Sequence, residues 1–144
     1  MKPRKHYRPR LVRIPVTGLR DQIALHMHAA LVCLEANPGQ DAFDGLGAIF
    51  NVIGLTIEHD SRLSHEARLI AGGAAAMNQI EVKVCQHKLA PQDHEIAPIR
   101  IAVNAIDRIL PWLDVSRMHL AQMQLRMLQR PTTNVLSTHS TRSV

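Results

Sequence analysis

Aromatic residues are scarce in this sequence, and their scarcity narrows the fold class. Tyr7, Phe43, Phe50 and Trp112 are the only four in a chain of 144 residues. A core with so few rings must be built from Leu, Ile, Val, Met and Ala, which favours packed helices over a β-sandwich. We therefore expect an all-α protein whose single compact domain contains four to five helices.

Long apolar runs and paired cysteines are also missing. No apolar stretch approaches the roughly 18–20 residues that cross a bilayer, and none follows the basic N-terminus as in a signal peptide. Cys33 and Cys85 have no partner at CxxC spacing. Both lie in predicted helices, where we expect them to be core residues. These absences favour a cytoplasmic protein that does not contact a membrane.

Motifs for catalysis and metal binding are absent. The sequence contains no GxSxG motif, no HExxH motif and no phosphate-binding glycine loop, and none of its nine histidines lies four residues from another. An enzyme would have to use a histidine or a reactive Cys85 thiol. The densest group of possible metal ligands fits a solvated polar turn as well as an ion site, and consists of Glu58, His59, Asp60, His65 and Glu66. We expect no enzyme activity, metal, cofactor or small-molecule substrate.

Positive charge is concentrated at the N-terminus. Residues 1–20 contain seven Lys or Arg and no acid (+7), whereas the other 124 residues contain 10 basic and 12 acidic side chains (−2). Pro3, Pro9 and Pro15 remove backbone donors and favour extended geometry. We therefore predict a basic extended arm over residues 1–16. Its segment 11–14 could lie against the body or pair as a short strand.

The arm is the first candidate binding site. Its cations suit the neutralisation of phosphates, and its one aromatic ring suits stacking on a base. The residues proposed for this role are Lys2, Arg4, Lys5, Tyr7, Arg8, Arg10 and Arg13. Two alternatives remain open. The partner could be an acidic protein surface, or the arm could stay solvated or dock on the mildly acidic body of its own or a neighbouring subunit.

The spacing of apolar residues predicts a helical domain over residues 17–130. Helices are predicted at about 18–36, 40–58 and 62–88, from Pro91 to about residue 110, and at 113–130. The small-residue segment 71–76 should either meet the backbone of another helix or bend. The Ser/Thr-rich residues 131–144 are predicted to form a disordered tail.

The last predicted helix is apolar on more than one side. A surface helix usually has one apolar face, and methionine suits adaptable contacts. We therefore predict a homo-oligomer or partner interface formed by Met118, Leu120, Met123 and Met127. The alternative is a central helix that its own domain covers completely.

The arm sequence RKHYRPRLVRIPV, residues 4–16, resembles the start of small proteins of unknown function from prophages and mobile elements of proteobacteria. The resemblance covers residues 1–16 and implies no chemistry. It implies an accessory protein that binds a host component, for example a phage-encoded inhibitor of a defence system such as CRISPR-Cas, acting by protein–protein contact. The residues themselves favour a nucleic-acid-binding protein, and the inhibitor is the alternative.

Overall fold

The predicted apolar stripes form helices in the computed structural model, which describes the backbone of residues 16–142 and the side chains of residues 18–128. The helices in this range are α1 (Val16–Ala36), α2 (Gln40–Ile57), α3 (Ser64–Cys85), α4 (Asp93–Ile109) and α5 (Val115–Arg142). Short 3₁₀ helices, Ser61–Leu63 and Leu110–Trp112, precede α3 and α5. The all-α prediction is confirmed. Residues 1–15 of the predicted arm lie outside the described part of the chain. The backbone of residues 131–142, where a tail is predicted, continues α5.

Both ends of α3 and the start of α4 differ from the prediction for local reasons. The helix α3 begins at residue 64 instead of 62, because the Asp60 carboxylate accepts a hydrogen bond from the Arg62 backbone N–H at 3.0 Å and starts a 3₁₀ turn first. The same helix ends at Cys85 instead of 88, close to Lys88, whose φ of 55° lies in the left-handed region. The helix α4 begins at Asp93, after a capping box formed by Gln92 and Glu95.

Bonds between helices show that α1 and α4 run antiparallel. His28 Nε2 lies 2.7 Å from a carboxylate oxygen of Asp107, and further along α1 the Glu35 carboxylate accepts a hydrogen bond from Arg100. Residue numbers therefore rise along α1 as they fall along α4. Because each helix reverses the direction of the one before it, the starts of α1, α3 and α5 lie together. We call this the upper end of the bundle.

The core lies between α2 and the helices around it. The helix α2 contacts α1, α3 and α5, while α4 packs on α3 and α1. The predicted stripe of α2 is buried throughout, and consists of Phe43, Leu46, Phe50, Ile53 and Ile57. Among the helices within the described range, none is both long enough and apolar enough to cross a bilayer.

The small-residue segment of α3 brings α3 and α4 close together. A Cβ on Gly73 would overlap the Cβ of Ala102, and would lie 3.1 Å from Phe50 Cε2 and 3.3 Å from the Pro98 carbonyl oxygen. A Cβ on the neighbouring Gly72 would meet nothing within 4 Å. Of the two outcomes the sequence left open, the close approach of two helices is therefore the one observed, and it occurs at Gly73.

Replacing Gly73 with Ala should destabilise the protein by about 1–3 kcal/mol, the usual effect of overpacking a filled core. Gly72→Ala is the matched control. It adds the same methyl group one residue away in open space, and should stabilise the exposed helix interior by up to about 1 kcal/mol. Urea denaturation followed by circular dichroism measures both. Equal effects of the two substitutions would contradict the close packing at Gly73.

Candidate functional site

The helix α1, which follows the basic arm in sequence, begins at the upper end of the bundle. The arm's candidate residues lie outside the described part of the chain, but the helix that follows them is well placed. Arg20 Nη2 donates a hydrogen bond of 2.6 Å to the backbone carbonyl of Leu113, which lies 93 residues away in sequence. Four residues of helix separate Val16 from Arg20, a length of about 6 Å. The arm therefore starts close to the turn that joins α4 to α5.

That turn exposes the single tryptophan of the chain. In a 3₁₀ helix, residues three apart lie above one another on the same side. Leu110 and Leu113 share this spacing, and both are buried against the core. Trp112 lies between them in sequence and is therefore turned outward, with 84% of its surface exposed. Pro111 occupies the first turn of the same 3₁₀ helix, where its fixed φ is compatible with the helix.

A cleft of about 560 Å³ lies beside this tryptophan. We call it the Trp112 cleft. It is bounded by the end of α2, the turn before α3, the end of α4 and the start of α5. Its apolar wall includes Ile57, Leu63, Ile109 and Leu113, and its polar residues are Thr56, Asp60, Arg62, Asp114 and Arg117, with Trp112 completing the lining.

The two carboxylates of the cleft both hold local structure. Asp60 accepts hydrogen bonds from Nε and Nη2 of Arg62, each at 3.2 Å. The guanidinium of Arg62 lowers the pKa of Asp60 below its ordinary value, and the positive charge of Arg117 acts in the same direction. Asp114 accepts a hydrogen bond of 2.8 Å from the backbone N–H of Ser116 and so caps α5. Asp60 is therefore ionised at neutral pH.

The predicted interface on α5 divides into two faces. Met118 is completely buried, so its assignment to an exposed interface was wrong; it faces the core together with Ala121. Leu120, Met123 and Met127 are 58%, 56% and 67% exposed. At 100° per residue these three lie on the side of the helix opposite Met118. We call them the outer stripe of α5.

The cysteines and the acidic turn form no metal-ligand cluster in the described residues. Cys33 is exposed, so the expectation that it is a core residue was wrong; it lies 100° around α1 from the buried Leu34. Cys85 is half-buried and packs against the core. Glu58 and His59 approach within 3.8 Å, yet no three His, Cys, Asp or Glu of residues 18–128 gather as a metal site would require.

The Trp112 cleft was missed by reasoning from the sequence. One local signal was present, because Leu110-Pro111-Trp112-Leu113 places a tryptophan between two leucines three residues apart, in a break between helices. The rest of the cleft could not be read locally, since its walls come from four segments of the chain.

Comparison of the chain with models of protein families, with curated proteins and with solved structures found no match to any of them.

The pairing of Asp60 with Arg62 should make stability depend on pH. A carboxyl group whose folded-state pKa is lowered contributes stability above its unfolded pKa, which is close to 3.8. That stability is lost as the pH falls through the folded-state pKa. The difference in unfolding free energy between wild type and Asp60→Asn, measured by urea denaturation, should therefore be larger at pH 7 than at pH 2.

Arg62→Gln provides the control, because it removes the cation but leaves the carboxylate. In this background, replacing Asp60 with Asn should change the unfolding free energy less at pH 7 than it does in the wild type. If the difference in unfolding free energy between wild type and Asp60→Asn is the same at pH 7 and pH 2, this account of the pair is contradicted.

Proposed function

We propose that this protein binds nucleic acid and that its basic arm makes the phosphate contacts. The observation that supports this proposal most is that the start of α1 is held against Leu113, directly beside the exposed Trp112. The arm with its six cations between residues 2 and 13 therefore begins where an aromatic ring is offered to solvent. Phosphate contacts and base stacking are the two interactions that nonspecific binding to single strands combines.

The charges of the body support a role for the arm alone. Residues 18–128 contain nine Lys or Arg and twelve Asp or Glu, a net charge of 9 − 12 = −3. Some of the cations are already paired with carboxylates: Arg100 with Glu35, Lys83 with Glu95 at 2.6 Å, and Arg62 with Asp60. A polyanion would gain little from such a surface, so most of the electrostatic attraction must come from the arm.

The salt dependence of binding tests the arm directly. Each phosphate contact contributes about 0.7–0.9 to the slope of log K against log salt concentration. The triple variant Arg4→Gln, Arg8→Gln, Arg10→Gln should therefore lower this slope by about 2–3. Fluorescence anisotropy with labelled DNA and RNA oligonucleotides measures this slope. The titrations are made at about 50 to 200 mM salt, a range over which phosphate contacts change the affinity strongly.

The matched control removes three exposed arginines from the body, as Arg68→Gln, Arg108→Gln, Arg126→Gln. Both triple variants change the net charge by the same amount. If the body variant weakens binding as much as the arm variant does, binding follows net charge and the role of the arm is refuted.

A second candidate function is the binding of a protein partner, and the outer stripe of α5 favours it. Leu120, Met123 and Met127 form an exposed apolar line, and methionine is enriched in protein–protein interfaces. From residue 115 to the end of the sequence there is no Asp or Glu, but there are four arginines. A second copy of the chain or an acidic host protein, as for an accessory protein of a mobile element, would fit this candidate.

Charged substitutions in the outer stripe separate this candidate from the first. If the stripe holds subunits together, Leu120→Glu and Met127→Glu should lower the mass measured by light scattering to that of one chain, because each places a carboxylate in an apolar contact. Leu89→Glu, at another exposed leucine near the lower end of the bundle, is the control. If the stripe instead binds a host protein, the tagged wild-type chain should recover that protein from nuclease-treated lysate. The same two variants should fail to recover it.

A mass that is identical in wild type and variants, together with no recovered polypeptide after nuclease treatment, would leave the outer stripe without a partner.

A further inference from the structure

We infer that the Trp112 cleft receives one unpaired nucleobase, stacked on the indole ring, so that the protein prefers single strands to duplexes. This inference rests on the proposed function. It assigns separate parts of the nucleic acid to separate parts of the protein: the phosphates to the arm and a base to the cleft.

The exposure of Trp112 is the first observation behind this assignment. Burying a large aromatic side chain would stabilise the fold by several times RT, about 1.5–3 kcal/mol. The turn instead anchors Leu110 and Leu113 in the core and holds the indole outside, 84% exposed. The two buried neighbours anchor the backbone that carries the ring, so this backbone need not rearrange when a ligand stacks on the indole. Tryptophan is among the residues that most often dominate binding energies.

The shape and chemistry of the cleft are the second observation. Its volume of about 560 Å³ lies within the range of about 300–1,000 Å³ that small-molecule sites occupy. Its apolar wall of Ile57, Leu63 and Ile109 suits the face of a planar ring. Its polar residues suit the edge of a base, where amino groups donate hydrogen bonds and carbonyl groups accept them.

The charges in the cleft decide which part of a nucleotide it would take. Asp60 and Asp114 both line it, and the pKa of Asp60 is held low by Arg62. Arg62 and Arg117 line it as well, so the formal charges of the cleft cancel, and Arg62 is already paired with Asp60. A cleft with no net charge provides no electrostatic attraction for a phosphate. The uncharged base is therefore the part of the nucleotide that the cleft accepts, whereas the phosphates remain with the arm. A base can reach such a cleft only when it is not stacked and paired inside a duplex.

Trp112 is the only tryptophan in the chain, so its fluorescence reports on this cleft alone. The experiment titrates the full chain with a single-stranded oligonucleotide of mixed sequence, as DNA and as RNA, and with a blunt duplex of the same length. Single strands should quench the emission, and the duplex should not. In anisotropy, Trp112→Ala should weaken binding to single strands about tenfold, within the range of about 1–3 kcal/mol for one base–aromatic stack, and leave duplex binding unchanged.

Two further variants make the result specific to stacking. Trp112→Phe keeps a smaller aromatic ring and should recover part of the lost affinity. Leu89→Ala removes an exposed apolar side chain near the lower end of the bundle and should change nothing. Circular dichroism establishes that all variants have the same helix content.

The possible outcomes separate this inference from the proposed function. If wild type binds neither single strands nor duplex, both fail. Suppose that the arm variants lose binding, but that Trp112→Ala weakens the binding of single strands and of duplex equally, or weakens neither. The inference is then overturned and the proposed function stands. The emission of Trp112 in the absence of nucleic acid is also compared between the full chain and a variant that lacks residues 1–15. If this deletion changes the emission as much as adding an oligonucleotide to the full chain does, the arm itself fills the cleft and the inference is likewise overturned.

Discussion

The close contact of α3 with α4 at Gly73 sets the position of everything at the upper end of the bundle. With no Cβ at this residue, Ala102 and the carbonyl of Pro98 come against the backbone of α3, and Phe50 of α2 closes the same contact. The register of α4 is fixed by this fit. Because α4 ends at Ile109, the same register determines where the following turn places Leu110, Leu113 and the exposed Trp112.

Ion pairs at the surface reinforce this register and also pair three of the nine Lys and Arg side chains of residues 18–128 with carboxylates. Arg100 and Asp107 of α4 reach Glu35 and His28 of α1. Such exposed pairs add little stability each. Their larger effect is on the distribution of charge, since a paired guanidinium attracts a polyanion less than a solvated one. The net positive charge of the sequence therefore lies in residues 1–16, whereas residues 18–128 have a net charge of −3.

The sequence predicted those features that depend on spacing within one helix. The buried stripe of α2 was predicted in this way. At the small residues of α3 the sequence left a close approach and a bend open, and the close approach is observed. Errors arose where one step around a helix decides the environment: Cys33 was assigned to the core beside Leu34, and Met118 to the exposed face. The Trp112 cleft could not be predicted, because its walls come from the end of α2, the turn before α3, the end of α4 and the start of α5.

The hydrogen bond from Arg20 to Leu113 also has a consequence for the order of assembly. Successive helices pack on one another early in a bundle of this kind, since their contacts close short loops. The junction between the start of α1 and the turn before α5 closes a loop of most of the chain, so its entropic cost is met only when the intervening helices are in place. We therefore expect the contact between the start of α1 and Leu113 to form late in folding. Partial unfolding from either end should separate these two segments while most of the helical structure persists.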